Sequence, residues 1–280
     1  MNTQILKDND FKFNKAYGQN FIFDKNFLKS IVDLLVTPED TIVEIGAGAG
    51  TLTSMMAEVA KRVISFEIDR NLQPILNETL KNYKNCEVIF QDIMKVDIEE
   101  LEQKIGGDYI IVANLPYYIT TPIIFKFLEN AKHLKSMSIM VQLEVAERLT
   151  AKPNTKEYGA ITPAIDYRAN AKTLKRVGRH MFTPVPNVDS AIVKIDFVDN
   201  KFEIVDSHIL DETIKAVFAM RRKTIANNLK SYFHLQQSQI EDICSNSNIS
   251  PSARGETLNT SNLVDLSNEI CKYLRSEERR

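Results

Sequence analysis

Tryptophan is absent from this 280-residue chain, and cysteine, glycine and proline are scarce at three, nine and nine. Cys86, Cys244 and Cys271 lie far apart and are odd in number, which suits neither a disulfide framework nor a zinc cluster. A reducing compartment is the natural home for such a chain. So little glycine and proline excludes collagen-like and low-complexity sequence. Neither sign of charge dominates: 35 Lys and Arg face 37 Asp and Glu, a net charge of -2. That excludes a uniformly basic nucleic-acid coat protein and leaves room for a local basic patch. A long hydrophobic run is missing too. The longest uncharged stretch, Tyr109 to Phe125, has 17 residues and is interrupted by Asn114, Pro116 and Pro122. A membrane helix needs about 20 mostly apolar residues. The first residues lack the apolar core of a signal peptide, and Asp8 and Asp10 are unlike a transit peptide. A cytoplasmic protein with no membrane segment is expected. What is present, 44% apolar and 26% charged residues, is ordinary for a folded chain.

From Thr41 to Gln142, short β-branched runs alternate with helical stretches. Thr41-Ile-Val-Glu-Ile, Arg62-Val-Ile-Ser-Phe, Cys86-Glu-Val-Ile-Phe, Tyr109-Ile-Ile-Val-Ala and Met137-Ser-Ile-Met-Val read as strands. Their nearly continuous apolar character fits a parallel sheet covered on both faces, and the rhythm predicts a doubly wound α/β layer. Ala160 to Tyr167 and Val188 to Phe197 read as two further strands. From about His208 the apolar spacing becomes helical, through Leu210, Ile214, Val217, Phe218, Ile225, Leu229 and Tyr232. A boundary between Asp199 and Asp206 divides a first domain over 1–203 from a small helical domain over 204–280.

Glu44-Ile-Gly46-Ala-Gly48-Ala-Gly50 follows the first of these strands and opens a helix at Thr51. Glycines there allow a tight turn and close approach of backbone to a ligand beside a helix N-terminus. Glu67 ends the next strand, where a carboxylate can accept hydrogen bonds from both hydroxyls of a ribose. NAD and S-adenosylmethionine both suit this layout. The spacing is G-x-G-x-G, and Glu44, two residues ahead of the first glycine, would oppose a phosphate but help hold a cationic ligand carrying an amino acid. S-adenosylmethionine is therefore the expected cofactor. Asp92, after the third strand, either bonds an adenine amino group or caps a helix.

Asn114-Leu115-Pro116-Tyr117 stands at the carboxyl end of the fourth of these strands, where open α/β sheets bind ligands. An adenine amino nitrogen is a poor nucleophile because its lone pair is delocalised into the ring. The Asn114 side-chain oxygen and the Pro116 carbonyl are expected to accept its two N–H bonds, favouring a tetrahedral nitrogen. Tyr117 is expected to stack on the extruded base. Against a sulfonium methyl donor no strong base is needed, so catalysis is positioning and electrostatics.

With these blocks in place, the sequence resembles the ribosomal RNA adenine dimethyltransferase family, and its bacterial small-subunit type in particular. The resemblance also rests on Tyr17-Gly-Gln-Asn-Phe-Ile22, Glu67-Ile-Asp69, Gln91-Asp92, Gln142-x-Glu144-Val-Ala, Lys156-Glu-Tyr-Gly159, Phe182-Thr-Pro-Val-Pro-Asn-Val-Asp-Ser-Ala191 and Arg221-Arg-Lys-Thr-Ile-Ala-Asn-Asn-Leu229. It implies a Rossmann-like class I methyltransferase fold with a mostly parallel seven-stranded sheet and a small C-terminal helical domain that contacts RNA or the ribosome. It implies transfer of four methyl groups from S-adenosylmethionine to two adjacent adenosines near the 3′ end of 16S rRNA in the assembling small subunit. By motif, Asn20, Ile22, Glu44, Gly46, Gly48, Glu67, Asp92 and Asn114 would surround the cofactor. Asn114, Leu115, Pro116 and Tyr117 would hold the adenine, with Phe182 stacked on its other face. Ala47 departs from the proline common in the glycine loop, and Ile225 from a common leucine. The macrolide-resistance enzymes acting on large-subunit rRNA usually carry Asn-Ile-Pro-Tyr, and Leu115 departs from that. A binding-only assembly factor is a third reading, opposed by the intact tetrapeptide.

Arg168 to His180 holds Arg168, Lys172, Lys175, Arg176 and Arg179 with no acid, and Arg221, Arg222 and Lys223 form a second cluster. Both are expected to neutralise RNA phosphates, aided by Lys7, Lys12 and Lys15. Such runs can also be merely solvated faces. The four histidines are scattered and no metal site is expected. A monomer is expected, since nothing calls for an obligate dimer.

Overall fold

The computed structural model describes residues 5, 6, 9, 11–14, 17–199 and 201–277. Strands β1 (Phe21–Ile22), β2 (Thr41–Ile45), β3 (Arg62–Glu67), β4 (Cys86–Phe90), β5 (Tyr109–Asn114) and β6 (Leu134–Gln142) alternate with helices α1 (Lys25–Leu35), α2 (Thr51–Ala57), α3 (Gln73–Leu80), α4 (Ile98–Ile105) and α5 (Thr120–Asn130). Then come α6 (Leu143–Leu149), α7 (Ile161–Asp166), β7 (Ala169–Val177), β8 (Phe182–Thr183) and β9 (Ser190–Phe197). Helices α8 (Ser207–Phe218), α9 (Ile225–Phe233), α10 (Gln237–Asn246) and α11 (Thr260–Glu277) complete the chain.

Seven strands form one sheet in the order β4-β3-β2-β5-β6-β9-β7. The first five are parallel, and β9 runs antiparallel to β6. Ile42, Val43, Val63, Ile64, Ile111, Ile139, Val141 and Val193 are fully buried. Burial of each contributes about 2 kcal/mol, which is why these apolar runs settle as central strands. Helix ends follow local chemistry. Asp24 accepts from the Phe27 N–H to start α1, Asp97 caps α4, and Gly106 closes α4 in the left-handed region. The strand order reverses between β2 and β5, so a crevice opens at their carboxyl ends.

Two expectations need correction. Ala160 to Tyr167 is not a strand: its centre forms α7, with Thr162, Pro163, Ala164 and Ile165 buried. A short apolar run carries no period of its own, and Pro163 sits in the first helical turn, where its missing N–H costs nothing. Conversely, β7 occupies what read only as a basic run. It is the sheet's edge strand, where exposed Lys172, Lys175 and Arg176 also discourage pairing with another chain.

The chain forms two compact units, one of Met1–Ala146 with Lys172–Phe197, the other of Glu147–Ala171 with Val198–Arg280. The second unit thus takes a segment that the expected division at 203/204 placed in the first domain. Within that unit, Tyr158 donates to the Leu258 carbonyl at 2.7 Å, and Asp166 accepts from Lys201 at 2.6 Å and from Thr260. Tyr167 and Arg168 both reach Asp211. These ties lie about 35 to 100 residues apart in sequence, beyond the reach of any local pattern.

Candidate active site

The crevice at the β2/β5 switch point is a cavity of about 770 Å³, its open mouth included. Its lining brings together Asn20, Gly46, Gly48, Glu67, Asp92, Asn114, Leu115, Pro116 and Tyr117 from five separate stretches of chain. The glycine loop is pinned to β3, because Gly46 and Ala47 both donate to the Phe66 carbonyl, at 2.8 and 3.3 Å. Gly46, Gly48 and Gly50 have φ of +85°, +55° and +76°, a region that suits glycine.

The two acids flanking this loop have different tasks. Glu67 is buried, and its carboxylate accepts from the Gly48 N–H and the Asp69 N–H, both at 2.8 Å. Burial raises its pKa while these backbone donors work against the rise. Glu67 therefore fixes the loop and also borders the cavity. Glu44 does not border it. It sits opposite Ser65 in the β2/β3 register, and one carboxylate oxygen accepts from Ser65 and Thr53, both at 2.6 Å. Burial pushes its pKa up to about 7. Instead of the main cavity, Glu44 lines a second, smaller one together with Ile22, and the two share Phe21, Gly46, Gly48 and Asn114. Asp92 caps, as one of its two readings had it: Oδ1 accepts from the Met94 N–H, and the residue also lines the cavity.

Asn114 ends β5, and its Nδ2 donates to the Asn20 carbonyl at 2.8 Å. This fixes the amide and leaves Oδ1 as an acceptor. The Pro116 carbonyl is otherwise engaged: it accepts from the Ile119 N–H at 3.2 Å and the Thr120 hydroxyl at 3.1 Å. With both lone pairs taken inside the turn, it is not the second acceptor expected from the sequence. The Leu115 carbonyl, one residue earlier, accepts no intramolecular hydrogen bond among the described residues. Tyr117 shares a 2.8 Å hydrogen bond with the hydroxyl of Ser190, the first residue of β9.

Phe182 is not at the cavity. It is 1% exposed, packed in a core cluster with Ile22, Leu28, Ile31, Met140, Val177 and Ile192, and paired with Ile22 across β1 and β8. Sequence reasoning missed Gln19, whose amide donates to Asp69 at 2.7 Å and holds the N-terminal arm to the end of β3. It also missed Tyr118, 60% exposed at the cavity's edge, and Ser190. The Tyr17-Gly-Gln-Asn, Glu67-Ile-Asp and Val188-Asp-Ser blocks contain most of these, yet nothing in spacing alone shows that they meet.

The basic residues are unequally committed. Arg168 pairs with Asp211 at 3.0 Å and lies over the Tyr167 ring, 4.0 Å from its centroid. Arg221 binds Glu256 and the Lys156 carbonyl, each at 2.9 Å. Lys172 is 3.6 Å from Asp196, Lys175 is 3.2 Å from Ser30, and Arg179 donates to the Asn187 carbonyl. Arg176 is exposed, and Arg222 and Lys223 are exposed without an ion-pair partner among the described residues. Lys12 is exposed, while Lys7 and Lys15 lie outside the described residues. Among the described residues no three acids, cysteines or histidines are placed to hold a metal, and no helix is long and apolar enough to cross a membrane.

The geometry has counterparts. A profile described as ribosomal RNA adenine dimethylase matches residues 10–266. The chain is 44% identical over 271 residues to the ribosomal RNA small subunit methyltransferase A of Clostridioides difficile strain 630, covering 95% of this chain and 94% of that protein. Its counterpart of the same name from Geobacillus sp. strain WCH70 is 42% identical over 275 residues, with the same coverage of both chains. In fold alone it is similar to a dimethyladenosine transferase from Plasmodium falciparum, with TM-score 0.74, 23% identity and 92% and 98% of the two chains covered. The 23S rRNA methyltransferase ErmE is likewise similar in fold, with TM-score 0.69, 24% identity and 90% and 100% covered. With a glycine loop, a buried strand-end carboxylate and an Asn-Leu-Pro-Tyr turn at one switch point, and with matches along nearly the whole chain, this protein belongs to the ribosomal RNA adenine dimethylase family.

Proposed function

We propose that the chain dimethylates the exocyclic amino groups of two adjacent adenosines near the 3′ end of 16S rRNA, using S-adenosylmethionine, within the assembling small subunit in the cytoplasm. The observation that carries this reading is the Asn114 amide. Its nitrogen is tied to Asn20, so its free oxygen is presented at the switch point beside the glycine loop. The cavity fits the methyl donor. Ile68 and Ile93 supply apolar walls for a flat base, Asp92 a polar edge, and Glu67 a carboxylate placed for ribose hydroxyls. Bound there, S-adenosylmethionine would supply an electrophilic methyl group.

The chain's own residues do the rest. Asn114 Oδ1 accepts one amino N–H of the target adenine and the Leu115 carbonyl accepts the other, drawing the lone pair out of conjugation. The Tyr117 ring stacks on the extruded base. The protein acts as a monomer and needs no metal. Exposed Lys172, Lys175, Arg176, Arg222 and Lys223 contact phosphates, while Arg168 and Arg221 chiefly hold their own unit together. The small-subunit reading is favoured over the large-subunit one because the relatives over 40% identical bear the small-subunit name, whereas ErmE shares the fold at 24% identity.

The test is transfer of labelled methyl from S-adenosylmethionine to small and large subunits, each lacking the modification, followed by mapping of the labelled bases. Label confined to two neighbouring small-subunit adenines as dimethyladenosine is the expected result. Label on the large subunit would overturn the reading.

A further inference from the structure

Tyr117 is held at both ends. At its backbone, the Pro116 carbonyl closes the turn by accepting from Ile119 and Thr120. At its tip, the phenol meets the Ser190 hydroxyl at 2.8 Å. Ser190 is fully buried and is itself built into the sheet. It pairs with Gln142 at the end of β6, next to β5, whose last residue, Asn114, pairs with Met140. The preceding residue locks the same corner: the Asp189 carbonyl accepts from the Leu143 N–H at 3.0 Å, and its carboxylate accepts from the Arg179 N–H at 2.9 Å. The phenol oxygen lies on the axis of a tyrosine's second side-chain rotation, so a hydrogen bond there fixes the direction of the ring's long axis, and the in-plane preference of a phenolic O–H limits its tilt.

Resting on the proposed dimethyltransferase reading, we infer that Ser190 is a positioning residue: its hydroxyl sets the direction of the Tyr117 ring, and so the placement of the stacked adenine, against Asn114. The amino nitrogen must reach a methyl group along a narrow line of attack, and misplacement by a fraction of an ångström is expensive in rate. Ser190 does not line the cavity. It therefore has no direct route to cofactor affinity, and removing it should change rate alone.

The experiment uses full-length wild type, S190A, Y117F and the double variant. Single-turnover methyl transfer to undermethylated small subunits is measured beside S-adenosylmethionine binding by calorimetry. S190A is expected to slow transfer about 10-fold, with cofactor affinity within about twofold of wild type. Y117F should slow it similarly, and the double variant should be no slower than either single one, because both delete the same bond. Additive losses, a wild-type rate in S190A, or cofactor affinity falling in step with rate would each overturn the assignment. A second readout does not depend on the substrate. The Tyr117 ring resonances, assigned by their loss in Y117F, should shift in S190A, and unchanged resonances would also overturn it. Wild type that labels neither subunit would refute the dimethyltransferase reading, and the resonances would still decide the Ser190 contact.

Discussion

Across 94 residues of sequence, the Nδ2 of Asn114 donates to the main-chain carbonyl of Asn20 at 2.8 Å. The bond joins the end of a central strand to an arm that Gln19 separately ties to Asp69. The Asn114 amide is therefore oriented by the same segment that walls the cavity, so an arm in place and an acceptor correctly aimed are one structural condition.

Asn114→Ala removes both the acceptor and the tie. Loss of one preorganised polar contact to the reacting group costs about 10²- to 10³-fold in rate. Methyl transfer is expected to fall by that amount, with S-adenosylmethionine affinity reduced only a few-fold because the glycine loop and Glu67 remain. Single-turnover transfer and calorimetry measure the two effects. A rate within tenfold of wild type would remove Asn114 from the chemistry.

Gly48→Ala attacks the loop. Gly48 sits at φ +55°, and an added Cβ would lie 3.0 Å from Phe21 Cε1. That ring has little freedom to move, being packed among Phe11, Phe13 and Phe23 with centroid separations of 6.1, 5.3 and 6.3 Å. Left-handed strain alone costs about 1–2 kcal/mol. The variant is expected to lose about that much stability and, with the Gly48 to Glu67 bond displaced, more than tenfold in cofactor affinity. Denaturant melts and calorimetry test this, and unchanged affinity would show that the loop tolerates the side chain.

The strands and the glycine loop could be read in advance because their determinants are local: continuous apolar runs, glycines at one turn, an acid at a strand end. What escaped was set by distant partners. Glu44 looked like a ligand contact, but it is a buried carboxyl bonded to Thr53 and Ser65, 9 and 21 residues away. The Pro116 carbonyl is the one local exception: it looked free, but Ile119 and Thr120, three and four residues on, use it up. Phe182 looked like a stacking ring, but pairing of β8 with β1 sends it into the core. Arg168, counted with the basic run, belongs to an ion pair with Asp211 that only the fold creates.

Burial makes Glu44 a source of pH dependence. Its pKa rises from the ordinary 4.5 to about 7 on folding. Between those values the folded protein holds a proton that the unfolded chain has released, so stability falls as pH rises through that window and levels off above it. At about 1.4 kcal/mol per pH unit the whole effect is roughly 3 kcal/mol. Glu44→Gln keeps an acceptor for Ser65 and Thr53 and cannot ionise. Its stability relative to wild type should therefore climb from pH 5 to pH 7 and then stay level. Urea unfolding of both proteins at pH 5, 6, 7 and 8 gives the difference directly, and a difference independent of pH would mean that Glu44 ionises normally.

The exposed cations separate binding from folding. Arg221 is held by Glu256 and the Lys156 carbonyl, so changing it disturbs its own unit, whereas Arg222 and Lys223 are exposed and make no ion pair among the described residues. Each phosphate contact that a protein makes releases condensed counterions, and each one lost makes the salt dependence of binding shallower by about one in log–log slope. The R222A/K223A double variant should melt within about 0.5 kcal/mol of wild type, as surface changes do. Its binding to small subunits should weaken, and the slope of log affinity against log salt should become less steep by about two. R221A should instead lose stability along with binding. Titrations at 50, 100 and 200 mM salt, paired with denaturant melts, separate the two cases. A double variant with wild-type slope would mean that these two cations face solvent rather than RNA, and would leave the edge strand's Lys172, Lys175 and Arg176 as the phosphate-binding surface to test next.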